Sequence, residues 1–324
     1  METKTETKTK FELKMGVATR EAFGRALVDL GRQNKNIVAL DADLSKSTYT
    51  HLFAKEFPER FVECGIAEAN MIAIGAGLAS SGKIPFAASF SCFAINKGFE
   101  QLRVCVAYPN INLKVVGTHS GISIGEDGPS QMSIEDLGLV CSLPNFTVLS
   151  PADEISMRAL VLAAAAHVGP VFIRAGRPKV PIVHSPCQSF AIGESVQLTD
   201  GQDLTIIATG LLVAEALRAQ ETLEAEGISA RVIDMYSIKP LDRAAIQRAA
   251  QETGAIVVAE EHLVASGLGV RVAQVVAETD PCPMEFVGIQ DTYAESGSPE
   301  ELLQKYGLVA ANVAAAAKRV LNRK

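Results

Sequence analysis

The carboxylate of Glu68 stands among small and apolar residues in the stretch 63–71, which reads ECGIAEANM. Burying a carboxylate without a partner is costly, so the surroundings of Glu68 raise the question of its purpose. One interpretation places Glu68 in the first turn of a helix, facing water, where the positive end of the helix dipole favours an acid. The stretch by itself favours this interpretation.

Two further segments bring notable side chains to loops that follow predicted strands, which is where sites form in open α/β sheets. Phe90 and Phe93 lie close together in SFSCF, although only 6% of the chain is aromatic. They indicate either ordinary core packing or a flat apolar slot for a heteroaromatic ring. His119 and Asp127 lie in the glycine-rich loop 117–136, which is either a solvated surface loop or backbone held close to a ligand.

A third segment, FIRAGRPKVP, places Arg174 and Arg177 together at the end of a predicted strand. The pair is explained either by a surface charge or by binding to a substrate phosphate, which arginine at a strand end is well placed to do. The segment alone leaves both explanations open.

These candidates need an α/β scaffold, and the hydrophobic pattern predicts one. Helical periodicity over Thr19–Gln33 is followed by an apolar run over Asn36–Asp43, and helices then alternate with strands. Among them are a helix from about Glu68 to Ser80, strand Ile84–Phe90 and helix Lys97–Tyr108. The strands are apolar throughout, as a parallel sheet covered on both faces requires.

The alternation stops in the segment 177–203, where Pro178, Pro181 and Pro186 stand close together, and then resumes to the end of the chain. We therefore expect an α/β protein of two doubly wound domains. Their limits are residues 14–185 and 190–324, after a disordered tail at residues 1–13.

Composition excludes several classes of function. With 30 basic and 37 acidic residues the net charge is -7, which argues against a nucleic-acid or membrane partner. Neither a signal peptide nor a membrane span is expected, because the N-terminus is polar and no apolar run reaches roughly 18 residues. The six cysteines form no CxxC pair and no metal-like spacing, which predicts reduced thiols in a cytoplasmic protein.

In order and spacing, these segments resemble the second half of transketolase. The resemblance runs through ATREAFG, DADLSKST, RFVECGIAEANM, SFSCFAINKGFEQLR, GTHSGISIGEDGPSQMSIEDL, FIRAGRP and SIKPLDR, and weakens towards the end. It implies a thiamine-diphosphate pyrimidine-binding domain followed by a transketolase C-terminal domain. It also implies reversible transfer of a two-carbon ketol unit from a ketose phosphate to an aldose.

The resemblance assigns a role to each candidate residue. Glu68, a catalytic residue, matches the glutamate that hydrogen-bonds N1′ of the aminopyrimidine and promotes loss of the thiazolium C2 proton, sharing a proton in a dry site. Phe90 and Phe93 match the aromatic wall against that ring, and Asp43 matches a cofactor contact. Five residues match contacts to the substrate: Arg20, Ser47, His119, Asp127 and Arg177. His119 is also a catalytic candidate.

Gln131 is a departure within the resemblance. It falls where microbial and yeast transketolases have histidine and where the animal enzymes have glutamine. An amide keeps a hydrogen bond to a bound cofactor or donor possible, but it removes a titratable group.

The resemblance further implies a partner chain. Related enzymes bind Mg²⁺ and diphosphate through Gly-Asp-Gly and a later Asn in a separate domain, and no GDG occurs in these 324 residues. The hard cation needs oxygen ligands in near-octahedral geometry, and no such cluster is evident. We expect the Mg²⁺ ligands on an N-terminal, diphosphate-binding subunit, an α2β2 assembly of a split transketolase, and no activity of this chain alone.

Three alternatives stand beside this reading. The β subunits of 2-oxoacid dehydrogenases carry an activating glutamate, but their loops do not read THSGISIGEDGPSQM. The enzyme 1-deoxyxylulose-5-phosphate synthase typically has an Asp-Arg pair where Thr118 and His119 stand here. A non-catalytic binding or regulatory scaffold would keep the fold, but it would not need both a ring slot and phosphate contacts.

Overall fold

The computed structural model describes residues 13–324, so the predicted tail at residues 1–13 lies outside the described residues except for Leu13. The strands are β1 (Met15–Ala18), β2 (Ile37–Asp41), β3 (Phe61–Glu63), β4 (Ile84–Phe90), β5 (Lys114–Thr118), β6 (Thr147–Leu149), β7 (Val171–Arg174), β8 (Lys179–Pro181), β9 (Val196–Thr199), β10 (Leu204–Ala208), β11 (Ala230–Asp234), β12 (Ser237–Lys239), β13 (Ile256–Leu263) and β14 (Met284–Ile289). The α-helices are α1 (Thr19–Gln33), α2 (Ser45–Thr48), α3 (His51–Glu56), α4 (Glu68–Ser80), α5 (Gly98–Gln101), α6 (Asp136–Ser142), α7 (Glu154–Ala166), α8 (Leu212–Ala225), α9 (Arg243–Thr253), α10 (Leu268–Glu278), α11 (Pro299–Lys305) and α12 (Ala310–Leu321).

Within the described residues these strands form two large sheets and one small one. The first large sheet has the order β12-β6-β7-β5-β4-β2-β3, and the second has the order β14-β13-β10-β11-β9. Both are parallel except at one edge, where β12 and β9 pair antiparallel with their neighbours. Strand β1 pairs antiparallel with β8 in a separate two-stranded sheet.

Helices cover both faces of the first sheet. Side chains along a strand point alternately to opposite faces, and in β2 Ile37 and Ala39 pack with α1 and α7, whereas Val38 and Leu40 pack with α4. The prediction of apolar strands in a doubly wound α/β fold is confirmed.

The second sheet is covered in the same way. Val257 and Ala259 of β13 pack in the core that contains α8 and α12, whereas Ile256 and Val258 pack with α9 and α10. The α9–α10 side belongs to the same apolar cluster as α4 and α6. One continuous core therefore joins the two halves of the chain.

Sequence periodicity located α4 and β4 at the bounds that the structure has, but it misjudged the helix predicted over Lys97–Tyr108. In the structure the backbone is π-helical over Phe93–Lys97 and Leu102–Ala107, on either side of the short α5. A backbone hydrogen bond from Tyr108 N to Arg103 O, five residues earlier, at 2.9 Å marks the second of these wider turns. A 3.6-residue periodicity cannot reveal them, because the apolar residues still recur on one face.

Strands β1, β8, β9 and β12 were also not predicted, because they are short and lie in polar or proline-containing stretches outside the predicted alternation of helices and strands. Strand β12 follows β11 of the second sheet, yet Ser237 pairs with Leu149 of β6 at the edge of the first. A segment from the second half of the chain thus completes the sheet of the first half.

A buried histidine in the proline-containing segment links the halves. His184 Nδ1 lies 3.1 Å from Asp153 Oδ1 and His184 Nε2 lies 3.2 Å from Asp234 Oδ2, with all three side chains fully buried. Burial disfavours the imidazolium, but the two carboxylates outweigh it and raise the pKa of His184 to about 9. Burial of Asp153 by itself would raise its pKa, but the contact with His184 outweighs burial and lowers the pKa of Asp153 to about 2. The histidine is therefore a cation held between two acids.

All six cysteines are unpaired, with Cys92 buried and Cys187 exposed. No helix among residues 13–324 has both the length and the apolar character needed to cross a bilayer.

Candidate active site

The candidate residues gather where several strands of the first sheet end. Phe90 is the last residue of β4, His119 follows the last residue of β5, and Arg177 follows β7 after two residues. Because parallel strands present their carboxyl ends at one edge of the sheet, these positions meet there although they are far apart in sequence.

Glu68 is the first residue of α4, and therefore in the first turn as predicted, but it does not face water. Its side chain is only 3% exposed, and both carboxylate oxygens lie 3.3 Å from Lys97 Nζ. Lys97 comes from the π-helical turn that follows β4, which brings an ammonium group over the start of α4. The interpretation of Glu68 as a solvated helix-start residue is therefore wrong.

An aromatic stack adjoins this carboxylate. The rings of Phe90 and Phe93 are nearly parallel, with centroids 5.6 Å apart and planes 11° apart. The imidazole of His119 stacks on Phe90 with centroids 3.8 Å apart. Lys97 Nζ lies 4.4 Å from the centroid of Phe93, so the ammonium contacts both the carboxylate and a ring face. The sequence could not distinguish core packing from a ring slot; the structure shows a flat aromatic surface next to a buried acid.

His119 is held in an uncommon conformation and is uncharged. Its φ of 57° is in the left-handed region, and its Nδ1 lies 2.9 Å from Thr118 Oγ1. Burial, together with the charges of Arg20 and Arg177, lowers the pKa of His119 to about 3. At neutral pH this side chain therefore offers hydrogen bonds and a stacking face, but no charge.

Arg20, Ser47 and Arg177 are brought together near His119. Arg20 Nε donates to the carbonyl of Arg177 at 3.2 Å, and Arg20 Nη1 donates to the carbonyl of Ser47 at 2.7 Å. Arg177 Nη1 donates to Glu126 Oε2 at 2.9 Å. The charges of both arginines act on the neutral His119, and two cations beside an uncharged hydrogen-bonding group are suited to an anion.

Asp43, Asp127 and Gln131 are placed at the surface of this region. Asp43 has a φ of 62°, and its N–H donates to Glu63 Oε1 at 2.8 Å. Asp127 is exposed in a 3-10 turn over Gly125–Asp127, and Gln131 is half-buried. Among the described residues, no hydrogen bond joins the side chains of these three to Glu68 or to the aromatic stack, so their roles stay predictions.

Arg174 is neither a surface charge nor a phosphate ligand. It is 6% exposed, and its Nε lies 2.9 Å from Asp136 Oδ2, which also accepts from Ser91 Oγ at 2.7 Å. Arg174 Nη2 donates to the carbonyls of Ser133 and Glu261. Asp136 was missed, and the only signal for it was an acid directly before the apolar run LGLV.

The glycine-rich loop is anchored to the second half of the chain by Glu261. Ser123 N donates to Glu261 Oε1 at 2.6 Å, and burial raises the pKa of this carboxyl to about 7. Gly121 has a φ of 80°, and a Cβ there would lie 2.1 Å from Glu261 Cδ. Only glycine satisfies both the conformation and the close approach, so the loop is a held structure rather than a free surface loop.

Among residues 13–324, no group of three or more His, Cys, Asp or Glu is arranged to hold an ion.

The sequence of this chain is similar to that of known proteins. The chain matches the family models of the transketolase pyrimidine-binding domain over residues 15–183 and of the transketolase C-terminal domain over residues 193–313. It is 44% identical over 305 residues to a Methanocaldococcus jannaschii protein described as a transketolase C-terminal section, covering 93% of this chain and 95% of that one.

Two further similarities concern a subunit and a solved structure. The chain is 40% identical over 305 residues to a 6-deoxy-6-sulfo-D-fructose transketolase subunit of a Clostridium species, covering 94% of this chain and 95% of that one. A solved structure described as a split gene transketolase, an inactive β4 tetramer, superposes with a TM-score of 0.90 at 51% identity. The superposition covers 95% of this chain and 99% of that one.

Proposed function

This chain belongs to the transketolase family, and we propose that it is the pyrimidine-binding subunit of a split transketolase that transfers a two-carbon ketol unit from a ketose phosphate to an aldose. The observation that carries the proposal is a buried carboxylate beside a flat aromatic surface. Glu68 supplies the first, and Phe90 with Phe93 supplies the second.

These residues fit the aminopyrimidine half of thiamine diphosphate. When bound, the cofactor supplies the electron sink for breaking a carbon–carbon bond next to a carbonyl. In this chain, Phe90 and Phe93 would hold the plane of the ring by stacking. Glu68 would hold N1′ and share a proton with it, and its burial keeps water away from that proton.

The cluster of Arg20 and Arg177 supports an anionic group on the substrate. A phosphate has three oxygens that can accept from both guanidinium groups, and the neutral His119 can add a hydrogen bond without repelling either arginine. Ser47 lies at this cluster through its backbone carbonyl. We assign Asp127 to a substrate hydroxyl, and Asp43 and Gln131 to cofactor contacts, by the match to the family motifs.

The site would be completed by an N-terminal subunit that holds Mg²⁺ and the diphosphate, in an α2β2 assembly. Helix α4 supports this, because it has no polar side chain from Met71 to Ala79 and a helix that is apolar on all sides is normally buried. Ala73 and Gly77 are nevertheless exposed on it, and Ile66 just before it is 75% exposed. The helix that carries Glu68 thus presents an uncovered apolar face for a partner.

The test is ketol transfer from xylulose 5-phosphate to ribose 5-phosphate with thiamine diphosphate and Mg²⁺. The chain alone is compared with the chain mixed with its N-terminal subunit, and we expect turnover only in the mixture. Turnover by the chain alone would refute the proposal that this chain holds only half of the active site. A complex that binds the cofactor but releases CO₂ from a 2-oxoacid would favour the dehydrogenase-like alternative, and a complex that binds no cofactor would favour a scaffold.

A further inference from the structure

Lys97 contacts both Glu68 and Phe93, two of the residues that bind the pyrimidine ring under the proposed function. Its Nζ is 3.3 Å from each oxygen of Glu68 and 4.4 Å from the centroid of Phe93. Phe93 and Lys97 are the first and last residues of one π-helical turn, which places the ammonium over the ring four residues earlier. The cation therefore lies between an aromatic face and a buried carboxylate.

An aminopyrimidine bound at this place needs the same two contacts. It must stack on the aromatic face and bring a ring nitrogen within hydrogen-bond distance of Glu68. The ammonium of Lys97 already occupies both contacts. The observed contact therefore takes up the space that the bound ring needs.

We propose that Lys97 is an internal placeholder that fills the pyrimidine slot of the cofactor-free chain and is displaced when thiamine diphosphate binds. This inference rests on the proposed function. The side chain has room to move, because 49% of it is already exposed. Its long flexible stem can carry the ammonium into solvent without movement of the backbone.

The placeholder has a purpose that follows from the burial of Glu68. Without a cofactor, this carboxylate would lie at a largely apolar place with no counter-charge, which is unfavourable. Lys97 compensates that charge until the ring takes its place. Each molecule of cofactor must then compete with a cation that is covalently part of the protein.

The first test measures thiamine diphosphate binding to the two-subunit assembly by calorimetry in the presence of Mg²⁺. Removing the competitor in Lys97→Met should tighten binding by about 3- to 10-fold, as expected for loss of one half-exposed ion pair and one cation–π contact. Lys97→Arg keeps the cation and should bind no more tightly than the unmodified protein. Lys35→Met removes an exposed lysine elsewhere and is the matched control that should change nothing.

The second test follows Lys97 itself. Acetylation of lysines with a soluble amine reagent, mapped by mass spectrometry, should be faster at Lys97 in the assembly loaded with cofactor than in the same assembly without it. Lys35 should react equally in both. This readout needs no turnover.

The possible outcomes distinguish a failure of this inference from a failure of the proposed function. If the unmodified assembly binds no thiamine diphosphate, the proposed function fails and the placeholder fails with it. If it binds the cofactor, but Lys97→Met binds no more tightly or Lys97 becomes no more reactive, only the placeholder is overturned.

Discussion

Arg174 and Asp136 form a buried ion pair in which Arg174 Nε lies 2.9 Å from Asp136 Oδ2. The pair joins the end of β7 to the start of α6, and Arg174 continues to the carbonyl of Glu261 in the second half of the chain. It thereby fixes the base of the loop that carries His119.

Replacement of this arginine should destabilise the protein strongly. In Arg174→Met the carboxylate of Asp136 stays buried without its arginine partner, and we expect a loss of about 3–5 kcal/mol in the free energy of unfolding. Urea denaturation followed by circular dichroism measures this. Arg243→Met is the control, because it breaks an exposed pair with Glu278 and should cost no more than about 0.5 kcal/mol. Equal losses in the two variants would contradict the assignment.

The local hydrophobic pattern was sufficient to predict many of the helices and strands, but it was insufficient to predict the side-chain contacts that define the site. The bounds of β4 (Ile84–Phe90) and α4 (Glu68–Ser80) follow from apolar runs between turn-forming residues. The contact between Glu68 and Lys97 joins residues 29 apart through a π-helical turn that leaves no periodic trace. Motif resemblance found Glu68, Phe90 and His119 as candidates, but neither motif nor pattern indicates which cation faces which acid.

The same limit applies to His184. The prolines of its segment indicated only a boundary between the two predicted domains, and its two acidic partners are 31 and 50 residues away in sequence. Only the folded structure shows that His184 fixes this segment through its contacts with Asp153 and Asp234.

His184 makes stability depend on pH in the alkaline range. Its pKa is about 9 in the folded chain and ordinarily near 6.5 in an unfolded one. A raised pKa gives a stabilising contribution that is complete below about pH 6.5 and is lost as pH rises through 9. His184→Gln should therefore be less stable by about 2–3 kcal/mol at pH 7, with the difference shrinking towards pH 10. Urea unfolding of both proteins across pH 6–10 tests this, and a difference independent of pH would contradict it.

His119 should behave in the opposite way. Burial, Arg20 and Arg177 lower its pKa to about 3, so its imidazole stays neutral across the physiological range. In proton NMR spectra the His119 ring resonance should not move between pH 5 and 8 and should have the shift of a neutral ring, whereas that of His184 should have the shift of an imidazolium. His119→Asn assigns the resonance, since asparagine tolerates the left-handed φ. A midpoint near pH 6.5 for His119 would refute its burial beside two arginines.

Glu68→Gln should separate catalysis from assembly. The amide has nearly the same shape and keeps α4 in place, but it cannot share a proton with a ring nitrogen. We expect kcat of the two-subunit enzyme to fall by at least about 10²-fold, with the elution volume of the complex unchanged on gel filtration. Glu59→Gln, at a carboxylate that is 69% exposed, should retain full turnover. Undiminished turnover in Glu68→Gln would remove this residue from the mechanism.

Ala73→Glu should interfere with assembly alone. Ala73 is exposed on α4, so the unfolding temperature of the isolated chain should hardly change, whereas a charge on the apolar face should prevent binding of the N-terminal subunit. Light scattering of the mixture measures complex formation. Ala315→Glu is a matched change at an exposed position of α12 and should assemble normally. Normal assembly of Ala73→Glu would place the partner elsewhere.

The crossing of β12 into the first sheet limits how this protein can be dissected for expression. A recombinant fragment that stops in the segment between the halves would leave β6 as an open edge, with unpaired backbone groups free to recruit strands from other molecules. The shortest fragment that keeps this edge closed extends through Lys239. It would then include β9, β10 and β11 without β13 and β14, which complete their sheet. No single cut therefore yields two intact sheets, and the chain must be produced as one piece.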